Sequence, residues 1–314
     1  MTKKPKVFID GEAGTTGLQI AGRLAALGSV EVLSVPTAKR KDLNARAELM
    51  ARSDCIILCL PDDAAKDAVK LAETLGSRTP KIIDASTAHR VAPGWVYGFA
   101  ELSPGNREAI ANAKRVTNPG CYPTGAISLL RPLVDARILP ADYPVTVNAV
   151  SGYSGGGRSM IEAYEADTAP SFELYALGLD HKHVPELMAY SGLKRRPIFV
   201  PSVGNFRQGM LVSIPLHLEL LNGKPTQSDI ENTLAARYHG STHVSVIKAP
   251  SSVMTRLEAE ELNDTDKIEL YVFGKPDFQQ AVLVARLDNL GKGAAGAAVQ
   301  NLEIMLGLDV KARV

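Results

Sequence analysis

The chain has 314 residues, 45% hydrophobic and 22% charged, with a formal net charge of +1. That length builds two ordinary domains with separate cores, and the near-neutral balance gives no global field to recruit nucleic acid or an anionic membrane. Three cysteines suit a reducing cytoplasm rather than a disulfide framework, no apolar run approaches the ~20 residues that span a bilayer, and MTKKPKVFID turns into a strand with no cleavage site, so no signal peptide is read.

In chain order, an apolar strand at Val7 to Ile9 is followed by a glycine turn and a helical run from about Thr16. Glycines fall at 11, 14 and 17, a G-x-x-G-x-x-G spacing. Such a turn lets the backbone approach a pyrophosphate, and the helix start adds N–H groups and a favourable dipole. Gly11, Gly14, Thr15, Thr16 and Gly17 are therefore candidate cofactor contacts. A second strand is read over 30–36. Its only acid, Glu31, stands near its start, whereas NAD-specific folds place one at the end for the ribose hydroxyls. The end carries Lys39, Arg40 and Lys41 instead, which suits the 2′-phosphate of NADP; a solvated basic loop is the plainer alternative. Cys55 and Cys59 lie in CIILCLP, a buried strand. A helical stretch to Gly76 and a strand over 81–86 follow, ending at Ser86 and Thr87. Strands alternating with helices predict a Rossmann-type doubly wound parallel sheet, with ligands at the carboxyl ends of its strands.

Cys121 lies in NPGCYPTG, just before the apolar helical pattern TGAISLLRPLV. A thiol at a helix N-terminus is stabilised as thiolate, and the N–H groups there can hold an oxyanion. Its base must come from elsewhere in the sequence. HKHVPE supplies His181 and His183, which an extended segment would point to one side; a metal pair is the rival reading, but no third ligand cluster is evident. Strand VTVNAV leads into the glycine-rich loop 151–158, and strands are read over 268–274 and 281–288.

NPGCYPTG, NAVSGYSGGGR, HKHVPE and DNLGKGAAGAAVQN, in that order along nearly the whole chain, resemble the N-acetyl-gamma-glutamyl-phosphate reductases in their shorter form. The resemblance implies a Rossmann-type NADP domain plus an α+β catalytic and dimerisation domain. The expected boundaries are 1–117 with 286–314, and 118–285. It implies that Cys121 attacks an acyl phosphate, that His181 or His183 is the acid/base, and that NADPH reduces the resulting thioester. Ser86, Gly155 and Asn289 become candidate cofactor contacts, and Arg90, Ser154, Arg158 and Arg207 candidate substrate contacts, because guanidinium pairs bidentately with phosphate and carboxylate. DASTAHR departs from the DLSADFR-like form of longer members, which leaves Thr87 and His89 without an assigned role. No metal is expected; a homodimer or homotetramer in the cytoplasm is. The alternatives are an aspartate-semialdehyde dehydrogenase and a non-catalytic dinucleotide-binding protein. SGYSGGGRSM and NFRQGM offer no acid to a substrate ammonium, which favours the N-acetylated substrate.

Overall fold

The computed structural model describes residues 4–248 and 255–308. The chain forms two compact units. The first takes residues up to Ala100, Gly105–Pro119 and the stretch from Ala294; the second takes Glu101–Pro104 and Gly120–Gly293.

The first unit contains β1 (Lys6–Asp10), α1 (Thr15–Leu27), β2 (Glu31–Leu33), α2 (Leu43–Ala51), β3 (Cys55–Leu58), α3 (Asp62–Glu73), β4 (Lys81–Asp84), β5 (Val96–Tyr97), α4 (Asn106–Asn112) and β6 (Arg115–Thr117). All six strands are parallel, in the order β2-β1-β3-β4-β6-β5. Strands covered on both faces read as continuous apolar runs, as CIIL does. Along β1, Val7 and Ile9 join one core with Ile20, Leu24, Ile57 and Ile83, while Phe8 joins the other with Met50, Ile56, Ala65 and Ala68. This alternation is the period-two geometry of a strand. Chain order reverses at β1, which has β2 on one side and β3 on the other, and that switch point is where such sheets receive ligands. Several boundaries differ from the sequence reading: β3 stops at Leu58 and leaves the partly buried Cys59 outside it, and β4 stops at Asp84. The second strand stops at Leu33, and a 3-10 turn, Thr37–Lys39, carries the basic cluster after Pro36. The third helix stops at Glu73, and Gly76, at φ +58°, opens a separate 3-10 turn instead of capping it.

The second unit runs α5 (Cys121–Asp135), β7 (Thr146–Gly152), α6 (Arg158–Glu165), β8 (Phe172–Leu174), α7 (Val184–Ser191), β9 (Ile198–Gly204), β10 (Met210–His217), α8 (Gln227–Arg237), β11 (Val244–Val246), β12 (Ile268–Lys275) and β13 (Gln280–Leu287). Its seven strands lie in the order β11-β12-β13-β10-β7-β9-β8, antiparallel except for the β7–β9 and β11–β12 pairs. Helix α5 is buried along most of its length against β10 and β13, with α7 and α8 beside it. The chain was expected to return to the first unit at 286. It stays in the second through Gly293, because β13 runs to Leu287 as a full partner of β10 and β12. It rejoins the first unit at Ala294 through α9 (Gly296–Leu306), whose Ala298, Val299, Leu302 and Met305 complete the core around Val7 and Ile9.

Candidate active site

The glycine turn sits at the switch point. Gly11 has φ +90°, and a Cβ there would lie 2.3 Å from the Cys59 carbonyl oxygen, just past the end of β3. A Cβ on Gly17 would lie 2.5 Å from the Gly11 oxygen, so α1 presses on the turn and only glycine fits at either position. Gly14 is the extended N-cap of α1, and no side chain caps the helix. The half-buried Thr15 and Thr16 form the first turn. Past β2, Lys39 and Arg40 are exposed. The nearest acid, Asp42, is engaged as the N-cap of α2, accepting from the N–H groups of Asn44 (2.9 Å) and Ala45 (3.2 Å). Glu31 pairs with Lys6 at 3.7 Å. Asp10, at the end of β1, is buried; burial pushes its pKa up, while Arg46, at 2.6 Å, pulls it back. The turn after β2 thus presents cations and no uncommitted carboxylate, a donor set that fits NADP.

The DASTAHR turn after β4 is bonded within itself and to Asp62 of α3. Buried Asp84 accepts from the Ser86 hydroxyl at 2.8 Å and contacts His89 Nδ1 at 2.6 Å, while the His89 ring stacks on Trp95 at 4.2 Å. Thr87 donates to Asp62 through both its N–H and its hydroxyl. Thr87 and His89 therefore shape the turn. Arg90 is buried and donates from Nε to the Asn118 carbonyl at 3.2 Å.

In the second unit, Cys121 is the half-exposed first residue of α5, after Gly120 in an extended N-cap. The Gly120 N–H donates to Glu186 Oε1 at 2.7 Å, and Glu186 is buried in the first turn of α7. The N-cap of that helix is His183. The histidine segment is not extended as expected: the Val184 N–H bonds to the His181 carbonyl and closes a turn. The turn still gathers the rings, with centroids 4.7 Å apart, and the His183 N–H donates to His181 Nδ1 at 3.1 Å. Tyr122 packs its ring near both histidines, donates its hydroxyl to the Ser202 carbonyl (2.9 Å) and accepts from the Tyr175 hydroxyl (3.1 Å). Burial pushes the Tyr175 pKa up to about 12 and that of Tyr122 higher still, so both remain neutral donors.

Cys121, His181, His183, Tyr175, Met160 and Lys182 line a cavity of about 260 Å³ together with the loop that includes Gly155. Ser154 and Asn289 do not line it. The Asn289 amide donates to the Ser154 hydroxyl (3.0 Å) and accepts from the Gly209 N–H (2.8 Å), so its side chain ties two loops together. Arg158 and Arg207 are exposed and also outside the lining; the Arg207 carbonyl accepts the Ser154 N–H at 3.0 Å. The lining cation is Lys182, which sequence reasoning passed over inside HKH. Glu186 was not singled out in the sequence either, because its partner Gly120 lies 66 residues away along the chain. Burial pushes the Cys59 thiol up to about 12 and that of Cys55 higher. Among the described residues no group of three or more His, Cys, Asp or Glu is arranged to hold a metal ion, and no helix is long and apolar enough to cross a membrane. The second sheet also bears an apolar hollow of about 750 Å³, lined by Val150, Phe172, Leu211, Phe273 and Val284 among others.

Residues 6–113 match the family model of the semialdehyde dehydrogenase NAD binding domain, and 121–289 that of the semialdehyde dehydrogenase dimerisation domain. Over 310 residues, 97% of this chain and 99% of each relative, the sequence is 55% identical to the N-acetyl-gamma-glutamyl-phosphate reductases of Brucella ovis and Brucella abortus. Among solved structures, aspartate semialdehyde dehydrogenase II of Vibrio cholerae, complexed with ASA, is similar at a TM-score of 0.74 and 14% identity, covering 98% of this chain and 99% of that one. The aspartate semialdehyde dehydrogenase of Francisella tularensis is similar at 0.71 and 15%, covering 96% and 100%. At those identities the likeness is one of fold.

Proposed function

The chain belongs to the semialdehyde dehydrogenase family, in its N-acetyl-gamma-glutamyl-phosphate reductase branch, and from that membership we propose that it reduces N-acetyl-gamma-glutamyl phosphate to N-acetylglutamate 5-semialdehyde, with release of phosphate, in arginine biosynthesis. Cys121 attacks the acyl carbon as thiolate. The carbonyl oxygen takes up negative charge at the first turn of α5, where Cys121 and Tyr122 contribute backbone N–H groups and Pro123 has none. Phosphate leaves, and the acyl group stays on Cys121 as a thioester. NADPH, when bound, supplies the hydride that takes the thioester to the aldehyde. Gly11, Gly14, Thr15, Thr16 and Gly17 would hold its pyrophosphate, and Lys39 and Arg40 its 2′-phosphate. Either histidine can serve as acid/base. Nδ1 of His181 accepts the His183 N–H, so proton exchange by His181 is assigned to Nε2. Arg158, at the start of α6 just after the glycine-rich loop, and Arg207, on the loop after β9, are assigned to the anionic ends of the substrate together with Lys182.

One observation carries this reading: a cysteine at the start of α5 shares its cavity with two histidines, while a buried carboxylate ties its N-cap to the histidine-bearing helix. The cavity also favours the acetylated substrate. Its lining holds a cation and no carboxylate, and Glu186 is committed to Gly120, so the free ammonium of an aspartyl substrate would be desolvated without a partner. Phosphate-dependent NADP+ reduction, assayed with each semialdehyde, tests this. N-acetylglutamate semialdehyde is expected to lead by at least about a hundredfold in kcat/KM. Equal or faster turnover of aspartate semialdehyde would transfer the assignment to that activity. A second copy of the chain, laid on the apolar hollow of the second sheet, completes a homodimer or homotetramer in the cytoplasm; the match to a dimerisation domain supports this.

A further inference from the structure

Lys292 is 1% exposed, and its charge is met inside the second unit. Its Nζ lies 2.8 Å from Glu101 Oε2; the other Glu101 oxygen lies 3.6 Å from Nδ1 of buried His243, and the Thr242 hydroxyl lies 3.0 Å from that same nitrogen. Lys292 belongs to a π-helical turn, Gly291–Ala295, a rare geometry that concentrates at functional sites. The same segment is fixed from its other side. Buried Asp288 accepts the Leu290 N–H on its carboxylate (2.9 Å) and the Gly293 N–H on its carbonyl (3.0 Å), and a Cβ on Gly291 would lie 2.0 Å from the Thr265 carbonyl oxygen. The segment presses on the nucleophile: a Cβ on Gly293 would lie 2.9 Å from Cys121 Cβ and 3.4 Å from its Cα. One wall behind Cys121 is therefore bare backbone.

A buried ion pair is a weak route to stability, because desolvating both charges offsets most of their attraction, so it invites a question about what it positions. We propose that Lys292, through its pair with Glu101, is a positioning residue that seats the glycine wall of the π turn against Cys121 and so fixes the direction in which the thiol faces its cavity. The inference rests on Cys121 being the nucleophile.

The test compares Lys292→Met, Lys292→Arg and Gly293→Ala with the natural full-length enzyme. Thermal unfolding identifies the folded variants, steady-state kinetics give kcat and KM, and the iodoacetamide rate at Cys121 is measured without cofactor or substrate. Lys292→Met is expected to lose about a hundredfold in kcat, as a nucleophile displaced by about an ångström would, with KM for the acyl phosphate little changed. Its Cys121 alkylation rate should shift severalfold. Lys292→Arg should restore much of both, and Gly293→Ala should reproduce both defects with the ion pair intact. A folded Lys292→Met with natural kcat and alkylation overturns the proposal, as does a loss of kcat with unmoved alkylation and no rescue by arginine. Should Lys292→Met fail to fold, Gly293→Ala decides: unchanged kcat and alkylation overturn the proposal. Turnover surviving full alkylation of the natural Cys121 would instead remove the nucleophile assignment itself, a failure the same labelling experiment reads separately.

Discussion

Helices α1 and α5 begin in almost the same way and serve opposite ends. Gly14 (φ −77°, ψ 163°) and Gly120 (φ −78°, ψ 153°) are both extended N-caps, and neither helix has a side-chain cap. Both offer a positive helix end. At α1 the crowding is behind the turn, where Gly11 meets the Cys59 carbonyl and Gly17 meets Gly11, and two threonines open the helix. At α5 the first residue is a thiol, and the cap N–H is occupied by the buried carboxylate of Glu186. The α1 end suits an anion that arrives from outside; the α5 end is partly neutralised and locked to the helix that brings His183. A bare helix start is thus a common resource, and the side chain placed on it and the group placed behind it decide its use.

The largest expected effect breaks the comparison at its centre. Cys121→Ser should lose more than ~10³-fold in turnover, as removal of a covalent nucleophile does, and still bind NADPH. Iodoacetamide should label Cys121 faster than Cys55 or Cys59 near neutral pH, because burial raises the pKa of the latter two. A serine variant of full activity would make α5 only another helix start. Next in size is a test of what α1 serves. Neutralising Lys39 and Arg40 together should weaken NADPH binding by ~1.5–3 kcal/mol, about ten- to a hundredfold, and leave NADH nearly untouched. Equal loss for both cofactors would reduce the cluster to a solvated turn.

The smallest effect lies at the other ends of the two helices. Helix α1 is capped by Gly28 at φ +63°, whereas the last helical residue of α5, before its Ala136 cap, is Asp135, an acid where the dipole disfavours one. Burial would raise the Asp135 pKa, but hydrogen bonds from Arg237 (2.6 Å) and Arg131 (2.7 Å) outweigh it and hold the carboxyl below its ordinary value. A depressed carboxylate pKa stabilises the fold above the unfolded value of about 3.9, and that contribution is lost as pH falls through the folded value. Asp135→Asn should therefore lower stability by at most about 1 kcal/mol at pH 7, and the gap from the natural protein should close below pH ~4 in urea unfolding. A gap that persists into acid would mean that the arginines act through packing.

Much of this was legible in the sequence because it is periodic or punctuated. Apolar runs gave β1, β3 and β4, and glycines marked both helix starts. The short stretch β5–α4–β6 passed unread, since a two-residue strand has no period to detect. The extended reading of HKH failed because a single turn hydrogen bond, Val184 to His181, overrides strand spacing. Ser154 and Asn289 were chosen for the ligands, yet each finds a protein partner in the other across more than a hundred residues of sequence. Glu186 with Gly120 and Lys292 with Glu101 were missed for the same reason: buried polar pairing between distant positions leaves no local pattern.

The split first unit has a consequence for biosynthesis. Residues of α9 share one core with β1, β3 and β4, and Lys81 of β4 donates to the Met305 carbonyl of α9 at 2.5 Å. On the ribosome α9 emerges only after the whole of Gly120–Gly293, so the parallel sheet must wait with the apolar face that α1, α4 and α9 share only partly covered. A nascent chain arrested before residue 294 should accordingly bind a chaperone through its oldest strands, although every residue of those strands has long been made.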